Sequence, residues 1–274
     1  MQNRATLPSP TDDIPNQSDR RARPVTVEDI NVVFQPIVDL GAGWTVAYEA
    51  LVRCKWPGFE NPMRLFDWAQ NENCIGHLGR VIREVAFGRC DDAPLFVNIH
   101  PRELNEGWLV RPDDPMFFHE HPVYVEVTES AAFDYFDLCL NVLREVSSRG
   151  GVYLVVDDLG AGYSNLKRVL DLEPRIVKLD LALVRGIEKN PRQRTLVRQV
   201  VALCQELGAD VVAEGIETVD ELLAVRDTGA HYGQGYLFAR PAYPIPRATW
   251  PLPRNESRRG RLAGEPNSHA KHRV

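Results

Sequence analysis

Residues 152–165 read VYLVVDDLGAGYSN. An apolar run from Val152 to Val156 stops at two carboxylates, Asp157 and Asp158, and a loop punctuated by Gly160 and Gly162 leads into a helical start. A run this short between turn signals reads as a strand buried on both faces, as in a parallel sheet covered by helices. Adjacent strand residues point to opposite faces, so the two aspartates reach one place only where the strand frays into its loop. Side by side they repel, and burying them is costly without a cation. A polar turn after a strand would explain one such pair. The argument for chemistry is that the pattern recurs.

Toward the C-terminus, a helix through Leu166 and Leu170 precedes a strand at 175–180 (RIVKLD). Asn190-Pro191 caps a helix over 192–207, with Leu196, Val200 and Leu203 as its core stripe and Gly208 as its stop. A strand at 209–214 (ADVVAE), a capping box of Thr218 with Glu221, and a last strand over 231–237 follow. Toward the N-terminus lie a helix over 134–148 closed by Gly150-Gly151, and strands at 122–127 (PVYVEV) and 94–99 (PLFVNI). Before those come a helical face of Leu78, Ile82 and Val85 and a short helix over 61–71. Strands at 31–39 (NVVFQPIVD) and 44–52 (WTVAYEALV), joined by Gly41-Ala42-Gly43, form a hairpin and so run antiparallel. Repeated strand–helix units imply parallel strands, and eight of them close into a TIM-like (β/α)8 barrel, an α/β fold. The opening hairpin departs from that regularity.

The ends differ in composition. Residues 1–25, rich in Pro, Ser, Asp and Arg, are expected to form a disordered N-terminal arm. The barrel is expected over 26–243, and 244–274 reads as a basic, Pro-rich disordered tail; contact with an anionic surface is the sharper alternative for that tail. The 274 residues carry a net charge of −6 and are 44% hydrophobic, enough for a sizeable core. No run is long enough to span a membrane, and the first residues lack the apolar core of a signal peptide. The five cysteines form no CxxC pair, which argues against zinc or a disulfide framework and for a reduced, cytoplasmic protein. Basic residues concentrate in the tails, which argues against a nucleic-acid polymer as partner.

Polar residues stand at successive strand ends: Glu49, Asn98, Glu126, Asp157 with Asp158, Lys178 with Asp180, and Glu214, with Gln234 in the eighth strand. In a barrel these ends share one face, where active sites lie. Several carboxylates in one place require cations, and an all-oxygen donor set favours Mg²⁺ or Mn²⁺. Asp157 is the natural bridge of a two-metal site, a device suited to displacement at phosphorus. Lys178 could hold the attacking water or deprotonate it, and Arg53 could clamp a phosphate. As isolated residues, Lys178 could equally form a structural salt bridge and Arg53 would carry no meaning. The seven histidines show no paired metal-ligand spacing, which excludes a histidine–aspartate hydrolase.

These motifs resemble the EAL family of cyclic-di-GMP phosphodiesterases. The resemblance rests on FQPI at 34–37, EALVR at 49–53, VNI around Asn98, VEVTES around Glu126 and Glu129, and DDLGAGYSNL from Asp157. It continues through VKLD around Lys178, AEGIET around Glu214 and Glu217, and GQGYLFARP around Gln234. It implies a barrel with an antiparallel first strand and hydrolysis of cyclic-di-GMP to linear pGpG. By matching position it implies Glu49, Asn98, Glu126 and Asp157 on a first metal and Asp157, Asp158 and Glu214 on a second. Lys178, Glu49 and Glu214 become the catalytic residues. Gln35 and Arg53 would contact substrate, with Asp180, Glu217 and Gln234 lining or ordering the pocket. Glu129 would brace the loop after Asp158, which in this family couples the site to dimerisation, so a homodimer is the implied assembly; dimerisation, a separate regulatory protein partner and transcription are the alternatives for its control. Leu159 and Ala161 stand where the family usually has phenylalanine and threonine, and Cys54 where it usually has tryptophan. The segment from Glu49 to Asn98 is somewhat short. Those departures bear on the loop and its regulation more than on ligand chemistry. The alternative function is a catalytically silent cyclic-di-GMP receptor or protein-interaction module; retention of Glu49, Asp157, Asp158 and Lys178 argues for activity.

Overall fold

The computed structural model describes residues 24–104, 107–128, 136–161 and 166–254. Among these, eight strands close into a barrel in chain order: β1 (Ile30–Asp39), β2 (Thr45–Cys54), β3 (Leu95–Asn98), β4 (Val123–Thr128), β5 (Val152–Leu159), β6 (Ile176–Leu179), β7 (Asp210–Ala213) and β8 (Tyr232–Gly233). β1 runs antiparallel to both β2 and β8, and every other neighbouring pair is parallel, as the sequence implied. The helices are α1 (Pro62–Asn71), α2 (Ile75–Phe87), α3 (Phe136–Ser148), α4 (Leu166–Leu172), α5 (Leu181–Val184), α6 (Pro191–Glu206) and α7 (Val219–Arg226). No described helix is long and apolar enough to cross a membrane.

Two apolar layers follow from the strand period. Outward residues such as Val125, Val156, Val177 and Val211 meet the helices in the larger core. Inside the barrel, Ala47, Phe96, Tyr124, Val155, Ile176 and Val212 form a floor, with Phe96 stacked on Tyr124 at 4.4 Å between ring centroids. Two positions beyond each floor residue, on the same strand face, stand Glu49, Asn98, Glu126, Asp157, Lys178 and Glu214. One period-two alternation, repeated on six strands, therefore seals the barrel below and places a ring of polar groups above it.

Three expectations are corrected. On α6 the buried residues are Val197, Val201 and Cys204, whereas Leu196 and Leu203 are exposed and Val200 is half-buried. The helix has two apolar stripes one residue apart, and the one with the shorter side chains lies against the barrel. The cap is as expected: the Asn190 side chain accepts from Arg192 N and Gln193 N, with Pro191 in the first turn. The eighth strand does not extend over 231–237. After Gly233 the chain pairs with the turn following β7, through Ile216 N to Gln234 O at 3.0 Å and Leu237 N to Ile216 O at 3.0 Å. Gly235 permits this approach, since a Cβ there would lie 2.0 Å from Ile216 O.

The third correction concerns the C-terminal boundary at 243. Residues beyond it, to Arg254, pack on the barrel. Trp250 stacks on Phe238 at 5.8 Å and lies against Gly43, where a Cβ would come within 2.5 Å of the indole nitrogen. The Arg254 guanidinium sits 4.0 Å from the centre of the Trp44 ring. Residues 1–23 and 255–274, which include most of the expected arm and tail, lie outside the described residues.

The two stripes of α6 separate in a stability measurement. Val197→Ala is expected to cost about 2 kcal/mol in urea unfolding, from two lost buried carbons plus a cavity. Leu196→Ala should stay within about 0.5 kcal/mol. Equal costs would contradict the burial described.

Candidate active site

Lys178 anchors the site. Its side chain is 1% exposed, and its Nζ lies 2.6 Å from Glu214, 2.7 Å from Glu126, 3.3 Å from Asp157 and 3.6 Å from Glu49. Burial works against its charge, but the four carboxylates outweigh that and raise its pKa well above the usual value. The carboxylates still outnumber the ammonium. Burial, then repulsion by Glu49 and Asp157, pushes Glu126 well above the carboxylate range despite Lys178. Burial likewise takes Glu214 to about 8, with Asp157 and Glu49 adding to the shift. Lys178 keeps its proton, and the surplus negative charge is what the carboxylates relieve by binding protons.

The two aspartates meet through a local distortion of β5. Its pairing with β6 shifts register between Val156 and Leu159, and Asp158 adopts the left-handed conformation at φ 59°. That is uncommon for any residue but glycine, and aspartate is among those that tolerate it. The bulge cancels the alternation that would have sent Asp158 to the opposite face. Its N–H donates to the Asp157 carboxylate at 2.9 Å. Burial and the neighbouring Asp157 raise the Asp158 pKa to about 6. Carboxylate oxygens of Asp157, Asp158 and Glu214 all lie within 4.8 Å of one another.

Around this core the structure also gathers Gln35, Asn98 and Gln234. Gln35 opposes Glu49 in the β1–β2 register. The Gln234 amide donates to Glu49 at 2.6 Å and to Gln35 at 3.0 Å, and Gln35 donates to the Ala239 carbonyl at 3.1 Å. Asn98 donates to the other Glu49 oxygen at 3.1 Å. Glu49 is thus held by amides on both oxygens, an arrangement that the linear order of the motifs does not reveal.

Other expected residues stand apart. Glu217 is 41% exposed and pairs with Arg185 at 2.6 Å. Asp180 caps α5, accepting from Ala182 N at 2.8 Å. The half-buried Arg53 donates to its own neighbour's carbonyl, Val52 O, at 2.8 Å. Glu129 lies outside the described residues. α5 braces the loops that carry the acids: a Cβ on Gly160 would come within 2.4 Å of Leu183 Cδ1, and one on Gly215 within 2.6 Å of Leu181 Cβ.

The residues present fit divalent cations. One oxygen of the buried Glu126 carboxylate lies 2.7 Å from the Lys178 ammonium, and the other has no hydrogen-bond partner among the described residues. Buried carboxylate oxygens left this way attract a cation, and donors that are all oxygen suit a hard one.

The chain belongs to the EAL domain family: a family model for that domain matches residues 19–241. It is 34% identical over 236 residues to the Cyclic di-GMP phosphodiesterase PdeR of Escherichia coli K12, covering 81% of this chain and 35% of that protein. It is 30% identical to the Cyclic di-GMP phosphodiesterase RocR of Pseudomonas aeruginosa, covering 78% of this chain and 57% of that one. The chain therefore spans from about a third to just over half of these relatives. Among solved structures, it resembles Klebsiella pneumoniae BlrP1 in complex with calcium and cyclic-di-GMP, with a TM-score of 0.69 and 30% identity over 78% of this chain and 56% of that one. A manganese complex of BlrP1 matches equally well, at a TM-score of 0.69.

Two outcomes follow from this geometry. Gly215→Ala should destabilise the protein by about 1–3 kcal/mol, because the position has φ 71° and no room beside Leu181; an unchanged melting midpoint would contradict that packing. Below pH 8 an incoming cation must displace a proton from Glu214, and below pH 6 from Asp158 as well. Mn²⁺ affinity, measured by calorimetry, should therefore rise from pH 5.5 to 8.5 with proton release. A flat profile would contradict the shifts.

Proposed function

We propose that this chain is a metal-dependent phosphodiesterase that opens cyclic-di-GMP to linear pGpG. The observation that carries the reading is the buried Lys178 ammonium surrounded by Glu49, Glu126, Asp157 and Glu214, with Asp158 at the edge. The names of the relatives and the ligands of the BlrP1 complexes support the substrate.

Glu49, Asn98, Glu126 and Asp157 would hold one cation, and Asp157, Asp158 and Glu214 a second, with Mg²⁺ or Mn²⁺ as the ions. Such ions, when bound, lower the pKa of water and stabilise a departing alkoxide. Because pGpG carries a 5′-phosphate and a free 3′-hydroxyl, water oxygen adds to phosphorus, the P–O3′ bond breaks, and the second water proton ends on O3′. Lys178, with Nζ among these carboxylates, is placed to hold the attacking water. The first water proton then passes through a carboxylate of the cluster to solvent. Gln35 and Gln234 fix Glu49. Arg53 must turn from the Val52 carbonyl to reach a phosphate, and Asp180 and Glu217 act at the rim. Glu129 keeps its proposed role beside the loop after Asp158. A cytoplasmic location fits a nucleotide substrate and five free cysteines. A homodimer is the proposed assembly, and the apolar stripe of Leu196 and Leu203 on the outer face of α6 is available to a second copy.

The test is incubation of the purified chain with cyclic-di-GMP and Mg²⁺ or Mn²⁺, with and without chelator, following product by chromatography. Metal-dependent pGpG is expected, with Glu49→Ala and Lys178→Ala each losing more than about 100-fold in turnover. Tight binding without product would overturn the enzyme in favour of a receptor.

A further inference from the structure

Away from the carboxylate cluster lies a second set of buried charges that the proposed reaction does not touch. Arg83, on α2, is 1% exposed and heads the large side chains that are fully buried. It donates to Asp114 through Nε at 3.1 Å and through Nη2 at 2.7 Å, and to Glu103 through Nη1 at 2.7 Å. Glu103 and Asp114 are 1% and 0% exposed. Gly79, one turn earlier on α2, makes the space: a Cβ there would fall 2.0 Å from a Glu103 oxygen.

Removing three charges from water is costly, and an apolar trio of the same volume often stabilises as well or better. The network's contribution is therefore sought in what it orders. The second Glu103 oxygen accepts the His100 N–H at 3.0 Å, while Glu103 N donates to the His100 carbonyl at 2.9 Å. Together these close the turn directly after β3. Two residues upstream, Asn98 ends that strand, exposed, with its amide N–H on Glu49 at 3.1 Å. Its carbonyl oxygen is the atom left for a cation. Asn98 is thus held on one side by strand pairing with β4 and on the other by the turn that Glu103 closes.

We propose that Glu103, oriented by Arg83, is a positioning residue for Asn98 and so sets the affinity of the first cation position. This rests on the reading of the cluster as a divalent-cation site. Outer partners of metal ligands commonly change affinity about 10–100-fold when removed.

The test is Mn²⁺ calorimetry on the full chain, with melting midpoints measured in chelator. Glu103→Gln keeps the volume and removes the charge that Arg83 holds. It should weaken Mn²⁺ binding about 10-fold, with a lower metal-free midpoint, since the amide NH2 must face either Arg83 or the His100 N–H. In an Asn98→Ala background the same change should add little, because its effect passes through Asn98. An unchanged affinity in Glu103→Gln, or a full additional loss on top of Asn98→Ala, would overturn the proposal. Should Glu103→Gln not fold, Asp114→Asn, which reaches Glu103 only through Arg83, should give a smaller loss of the same kind, and no loss would overturn it. Wild-type protein that binds no Mn²⁺ would overturn the cation reading itself, and this is read before any variant is made.

Discussion

The ammonium of Lys178 and the carboxylates around it set the terms for the rest of the molecule. One positive charge, only 1% exposed, stands within 3.6 Å of four acids. Remove the ammonium and the acids repel one another in a poorly hydrated space; remove the acids and a lysine is stranded. The strands must therefore deliver opposite charges to one level, which requires a closed barrel with a fixed stagger. The floor of Phe96, Tyr124 and Val155 keeps the cluster dry from below, and the helices cover the other face of each strand. The cluster is nonetheless short of positive charge, and that deficit is what makes it chemically useful.

The geometry divides labour among residues that look alike in sequence. Glu49 is held by Asn98 on one oxygen and Gln234 on the other, so its direction is fixed. Glu126 is fully buried, with one oxygen 2.7 Å from the Lys178 ammonium and the other without a hydrogen-bond partner among the described residues. Asp158 depends on a strained φ of 59°, and the glycines at 160 and 215 let α5 press on the loops after Asp158 and Glu214. Strain concentrated beside the acids, with a helix wedged against it, ties the cluster's shape to α5 and to the long α6 that follows it.

Much of this was legible in the chain. Apolar runs that stop at Glu49, Asn98, Glu126, Asp157, Lys178 and Glu214 mark both the strands and the face they share, because the period of two is a local property. The opening hairpin was legible from its short glycine loop. What was not legible depends on distance in the chain. Gln35, Gln234 and Glu49 meet across the closure of the barrel, and Arg83, Glu103 and Asp114 converge from a helix and two turns. Neither set has a fixed spacing to read. The face of α6 was misread because Leu196, Val200 and Leu203 form as good an apolar stripe as Val197, Val201 and Cys204, and only packing chooses between them. The eighth strand is shorter than its composition implies because Gly235 lets the chain run against Ile216 instead of β1.

The most direct test of the central claim is the anomalous scattering of crystals grown with Mn²⁺. The account predicts a peak among Asp157, Asp158 and Glu214 and another among Glu49, Asn98, Glu126 and Asp157, with Lys178 displaced from some of its present contacts. Diffraction with no peak at either place, and Lys178 still spanning Glu126 and Glu214, would show that the lysine alone balances these acids and would contradict the account.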